Sequence, residues 1–95
     1  MAESNTYKGS IRDGVKYLTL NGVRGLPLSE TDWGWYGAAT YRTAHYILSS
    51  EYGPKTAKKY FARFAREHLA VYPEEGFTLT SGMIAFIINQ MEKPE

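Results

Sequence analysis

The chain contains no cysteine, which excludes disulfides, thiolate metal centres and a cysteine nucleophile and leaves packing to hold the fold. Long apolar runs are missing as well. Nothing approaches the ~20 residues that cross a bilayer, and the polar start Met1 to Thr6 lacks the charged and apolar blocks of a signal peptide. The expectation is a cytoplasmic protein with no membrane partner. Neither sign of charge dominates. A formal net charge of +1 excludes a strongly acidic DNA mimic and a uniformly basic nucleic-acid coat, so electrostatic recognition must come from local clusters. Glycine-rich phosphate loops, a nucleophile elbow and a dinucleotide fingerprint are absent. Glu74 and Glu75 are adjacent in a turn and point apart, unlike a carboxylate pair set for acid–base work. His45 and His68 fall on separate predicted helices with no supporting ligand spacing, so no metal is implied and each reads as a boundary residue. These absences predict a protein that is not an enzyme and has no cofactor.

What is present suits one small α+β domain. Ninety-five residues, 43% of them hydrophobic, supply one core and not two. The domain is expected over residues 7–91, with a flexible leader at 1–6 and a flexible tail at 92–95. Tyr7 to Arg12 and Val15 to Leu20 are strand-like runs separated by Asp13-Gly14, and Asn21-Gly22 follows at the spacing of a second tight turn. Both dipeptides tolerate the positive φ of a type I′ turn, which predicts an N-terminal three-stranded antiparallel meander ending near Leu26, before Pro27. Pairing Arg12 with Val15 and Leu20 with Val23 sends Tyr7, Ile11, Leu18, Leu20 and Val23 to a core face, with the stem of Lys16 beside them. Lys8, Ser10, Arg12, Val15, Tyr17, Thr19 and Arg24 then share the opposite face, a basic surface centred on a tyrosine.

About three helices complete the pattern. Tyr41, Ala44, Ile47 and Leu48 recur at helical spacing from about Ala39 to Glu51, and Gly53-Pro54 separates that helix from a second running to about Val71. Ala57, Tyr60, Phe61, Phe64, Ala65 and Leu69 form the second helix's apolar stripe. Phe77 to Leu79 is a short extended segment, and Thr80 or Ser81 can cap a last helix through about Met91. That helix carries Met83, Ile84, Phe86, Ile87, Ile88 and Met91, more than one narrow stripe, and either sinks into the core, the favoured reading, or gives one flank to another chain.

Two clusters are candidates for recognition. Thr31 to Ala39 reads T-D-W-G-W-Y-G-A-A and holds both tryptophans of the chain. Trp33, Trp35 and Tyr36 could anchor a partner protein or stack on a base, with Arg42 adding a planar cation. In an extended loop Trp33 and Trp35 share a face and can instead plug the gap between sheet and helices, leaving Tyr36 for contact. The second helix places Lys55, Lys58, Lys59, Arg63 and Arg66 on one sector opposite its apolar stripe. That sector fits an acidic protein patch or nucleic-acid phosphates, and it is also what an ordinary solvated helix face looks like. Lys8, Arg12, Tyr17 and Arg24 form a smaller alternative platform for a nucleotide.

The stretches Tyr7-Lys8-Gly9, Leu20-Asn21-Gly22-Val23-Arg24-Gly25-Leu26, Trp33-Gly34-Trp35-Tyr36-Gly37 and Gly76-Phe77-Thr78-Leu79-Thr80-Ser81 carry a resemblance over nearly the whole chain. Together they resemble an uncharacterised family of small proteins of phages, plasmids and prokaryotic genomes, with motifs of the form W-G-Y-G and G-W-T-L-T-S. The chain departs from that pattern at Tyr36, Ala38 and Thr40, where the family has glycine, serine and proline. The resemblance implies a mobile-element setting, in which small non-catalytic proteins inhibit host defence, CRISPR systems included. The expectation is a binding protein whose partner is a host defence protein or complex, with a nucleotide signal or nucleic acid as the alternative ligand.

Overall fold

The computed structural model describes residues 4–92, so residues 1–3 of the expected leader and 93–95 of the expected tail lie outside the described residues. Three antiparallel strands and three helices give the expected α+β class. Strands β1 (Thr6–Arg12) and β2 (Val15–Leu20) form a hairpin with Arg12 opposite Val15 and Tyr7 opposite Leu20. Asp13 and Gly14 take φ values of 51° and 78°, the type I′ geometry whose twist matches the strands it joins.

The third strand does not come from the predicted meander. Asn21-Gly22 does turn the chain, and Leu20 and Val23 exchange backbone hydrogen bonds of 2.8 and 3.0 Å, but pairing ends at that single bridge. Leu26 is drawn into the core and carries the chain away from the sheet, and Pro27 has no N–H with which to extend a ladder. The third strand is β3 (Gly76–Thr80), which pairs with the other edge of β1 and gives the order β2-β1-β3. Gly9 makes this possible. It lies opposite Phe77, and a Cβ on it would run into the Phe77 ring.

Side chains alternate across the sheet as the hairpin register requires. Tyr7, Leu18 and Leu79 are sealed on the inner face, while Lys8, Arg12 and Thr78 are exposed on the outer one. Ile11 and Val23, expected in the core, are exposed. Ile11 sits at the tip of the hairpin, and Val23 lies where the chain has already turned off the sheet.

Helices α1 (Ala38–Tyr52) and α2 (Pro54–Glu67) make the predicted helical hairpin. Gly53 closes α1 with its N–H on the Ser49 carbonyl at 2.8 Å, and Pro54 opens α2 where no N–H is needed. Thr40, Thr43, Ala44, Ile47 and Leu48 of α1 face Ala57, Tyr60, Phe64 and Ala65 of α2 in the core. α2 stops at Glu67, short of the expected Val71, and a single 3-10 turn from Leu69 to Val71 carries Leu69 inward.

Helix α3 (Ser81–Glu92) follows β3 directly. Thr80 Oγ1 accepts the Met83 N–H at 3.2 Å as the cap. The Ser81 hydroxyl instead accepts the Asn5 N–H at 2.7 Å, which ties the start of β1 to the start of α3. Ile84, Ile88 and Met91 form a single buried stripe, and Met83 and Phe86 are exposed, so α3 does not sink into the core over its whole apolar surface as expected but gives one face to it. Its C-terminus is held over α2, where the Tyr60 hydroxyl donates to Glu92 Oε2 at 3.1 Å.

Candidate functional site

The aromatic loop is fastened from below. Thr43, buried in α1, accepts the Asp32 N–H on its hydroxyl at 3.0 Å. Trp33 is 0% exposed, stands edge-on to Phe77 with ring centroids 5.1 Å apart, and directs its indole N–H to the carbonyls of Pro73 and Glu74 at 3.1 and 3.3 Å. Of the two roles expected of it, Trp33 takes the plug between sheet and helices, and the expectation that it contacts a partner is corrected. Gly34 explains why its neighbour behaves differently. With φ at 88° and its N–H on the Leu69 carbonyl at 2.8 Å, Gly34 breaks the extended alternation that would have put both indoles on one face. Trp35 is therefore 54% exposed and Tyr36 63% exposed.

Exposure here does not mean looseness. The Trp35 ring lies across Gly37, where a Cβ would come within 2.6 Å of Cζ2, and its indole N–H donates to Asp32 Oδ2. Asp32 also accepts the Trp33 N–H at 2.8 Å and a Lys16 Nζ hydrogen bond at 2.8 Å on Oδ1. Burial pushes the Asp32 carboxyl upward, but the hydrogen bonds from Lys16, Trp35 and the Trp33 amide outweigh it and hold the group below its ordinary value. The Lys16 side chain is only 15% exposed. Its ammonium also donates to the Trp33 carbonyl at 2.7 Å, lies 3.5 Å from Glu74 Oε1 and sits 5.2 Å from the Trp33 ring centroid. Sequence reasoning set the Lys16 stem beside the core face and Glu74 in a turn, but it did not bring either together with Asp32. The available signal was a lysine at an inward strand position, which requires a carboxylate partner.

The basic sector is exposed throughout, at Lys55, Lys58, Lys59, Arg63 and Arg66. Arg63 is partly engaged, with Nε on Glu67 Oε2 at 2.8 Å and Nη1 3.5 Å from the Met91 carbonyl, and Lys59 Nζ lies 5.2 Å from the Tyr60 ring centroid. Lys55 and Arg66 stand about 16 Å apart along the helix axis. The loop precedes α1 and is bonded to Leu69 just beyond α2, so it lies at the Arg66 end of the hairpin. Arg42, exposed and about 6 Å along α1 from Ala38, is at that end too. The structure thus brings Trp35, Tyr36, Arg42 and Arg66 toward one end together with exposed Val71. Lys55, Lys58 and Lys59 belong to the other end.

The residues of the alternative platform lie near one another, although Arg24 is not on the third meander strand that was expected to carry it. Lys8, Arg12 and Tyr17 share the open face of the sheet, and the Arg24 guanidinium carbon lies 5.9 Å from the Tyr17 ring centroid. Beside them, between β1 and β3, is a shallow hollow of about 330 Å³ lined by Lys8, Ser10, Glu75, Gly76 and Thr78 among others.

The histidines are boundary residues. His45 Nδ1 is 3.3 Å from Ser49 Oγ and its ring is edge-on to Phe61, while His68 packs on Phe64. Burial pushes His68 below its ordinary value, with Glu67 pulling it up and Arg63 down. Among the described residues no group of three His, Cys, Asp or Glu is placed to hold a metal, and no helix is long and apolar enough to cross a membrane. No protein-family model, curated protein or solved structure matches this chain.

Proposed function

We propose that this chain is a small non-catalytic binding protein that acts by covering a surface of another protein, with Trp35 and Tyr36 as its anchor and Arg42, Arg66 and Val71 around them. One observation carries this reading: two large rings stand in solvent on a loop that Trp33, two residues before the first of them, locks into the core. Rings of this kind dominate binding energy at protein interfaces. A ring held in one pose before contact also loses little freedom on binding, so more of its interaction energy appears as affinity. The arginines supply planar cations suited to carboxylates at the rim of such a contact.

The partner in this reading is a component of a host defence system, CRISPR machinery being the leading case, and the mode of action is steric inhibition on behalf of a phage or other mobile element. Support for that part is the resemblance of the W-G-W-Y-G and G-F-T-L-T-S stretches to a mobile-element family, and it is analogy in kind. The test is a phage challenge of a bacterial host carrying an active defence system. Expression of the wild type is expected to restore plaque formation, and the Trp35→Ala, Tyr36→Ala double variant to lose that effect while still unfolding in a single cooperative melt. Equal protection of the phage by both proteins would overturn the loop as anchor.

A further inference from the structure

The open face of the sheet concentrates charge of one sign around one ring. Tyr17 pairs with Ser10, so Lys8 and Arg12 are its diagonal neighbours on β1, each about 7–8 Å away, and Arg24 already touches its ring from the third side. None of these cations is in an ion pair among the described residues, where the pairs involve Lys16 and Arg63. The strand positions of this face carry no carboxylate: Lys8, Ser10 and Arg12 lie on β1, Val15, Tyr17 and Thr19 on β2, and Thr78 on β3. The ionised side chains at these strand positions are therefore all cations although the whole chain is nearly neutral, and the carboxylates nearby, Asp13 in the turn and Glu75 at the adjoining hollow, lie off the strand positions of this face.

From this we infer that the open sheet face is a binding surface for single-stranded nucleic acid, with Tyr17 as the stacking ring and Lys8, Arg12 and Arg24 as phosphate contacts. This goes beyond the protein-binding role of the loop and uses a separate surface. Charge complementarity selects a polyanion. A ring among hydroxyls selects nucleic acid over an acidic peptide, because every base has a face that stacks on an aromatic side chain. Lys8 and Arg12 are about 13 Å apart along the strand, a span that a chain of phosphodiesters follows and a single phosphate does not. Only an unpaired strand can bring an exposed base onto the ring, since duplex bases are already stacked on one another. An exposed cation–π contact is weaker than a base stack, so an incoming base displaces the Arg24 guanidinium and frees it for a phosphate. In the adjoining hollow the Glu75 carboxylate repels phosphate and accepts N–H groups, so a base edge enters there, with the Ser10 and Thr78 hydroxyls beside it.

Anisotropy titrations of short labelled DNA and RNA single strands against the full chain test this. Three phosphate contacts give a slope of log affinity against log salt of about −2, and Lys8→Ala with Arg12→Ala reduces it to about −0.7. Tyr17→Ala weakens binding about tenfold with the slope unchanged. Lys58→Glu with Lys59→Glu on α2 leaves both quantities at their wild-type values. Photo-crosslinking of the wild type, which needs no variant to fold, maps to β1 and β2. The inference is overturned by absence of binding at low salt, by duplex binding as tight as single-strand binding, or by a mononucleotide or polyglutamate that competes as well as the strand. Crosslinks confined to α2 would overturn it equally.

Discussion

In the aromatic loop the exposed side chains stand on a buried foundation, whereas on α2 the exposed cations follow from the helical period alone. Trp35 and Tyr36 reach solvent beside a sealed indole, a nearly buried lysine and an aspartate with three donors directed to it. Removing a loop ring leaves that apparatus with nothing to present. The lysines of α2 need no such apparatus, because any amphipathic helix packed through Ala57, Tyr60 and Phe64 turns its polar side to water. Exposure is therefore informative where the surrounding residues are arranged to produce it. Arg63 is the exception on α2, since its contact with the Met91 carbonyl links it to α3.

The largest effect that can break this comparison belongs to the two indoles. Trp33→Ala should cost about 3–5 kcal/mol, as for a large aromatic removed from a core, and Trp35→Ala about 1 kcal/mol or less, since its loss is one exposed hydrogen bond and partial packing. Denaturant midpoints of the two variants measure both, and equal losses would remove the distinction between foundation and display. Next comes Lys16→Met, which should cost roughly 1–3 kcal/mol by removing the ammonium donor from the Trp33 carbonyl and one of the three donors from Asp32. Iodide should then quench the Trp35 indole more readily, because Asp32, which accepts the indole N–H, has lost one of the three donors that fix it.

Acid sharpens the comparison further. Burial favours neutral His68 in the folded state, so its contribution is complete above the ordinary histidine value of about 6.5 and is lost as pH falls through the lowered native value. Asp32 is held below the ordinary carboxylate value, so its contribution is complete above about 3.9 and is lost as pH falls through its own lower value. Melting temperature should thus decline in two acid phases, the upper one absent in His68→Gln and the lower one reduced in Asp32→Asn. The smallest effect is expected for Lys58→Glu with Lys59→Glu, within about 0.5 kcal/mol of wild type by thermal melt.

The hairpin register, the helical hairpin and the inward stripe of α2 were legible because each is written locally, in a turn dipeptide or a repeat period. The partner of β1 on its second edge was not, because an alternating strand pattern does not say which distant segment completes the sheet. Gly9 was the one local trace, a glycine inside a strand where a ring from β3 had to fit. Within the loop the residue types were legible and their directions were not. Alternation would send Trp33 and Trp35 the same way, and a single positive φ at Gly34 reverses that. The contact of Lys16 with Asp32 and Glu74 is long-range on both sides and had no counterpart in spacing. Lys8, Arg12 and Tyr17 of the sheet platform were legible together, since they depend only on the register of one hairpin, whereas Arg24 reaches Tyr17 from a segment that leaves the sheet.

The placement of β3 shapes how the chain acquires its fold. Asn5 and Ser81 are hydrogen-bonded across 76 positions of sequence, so the middle strand gains its second neighbour only after the helical hairpin has been made. On the ribosome, β1 and β2 emerge with one flank of β1 bare until Gly76–Thr80 has been synthesised. An unpaired flank is a template for pairing with another nascent chain, and charged residues along it oppose such pairing. Lys8, midway along the stretch that β3 later covers, is suited to that guarding role during synthesis.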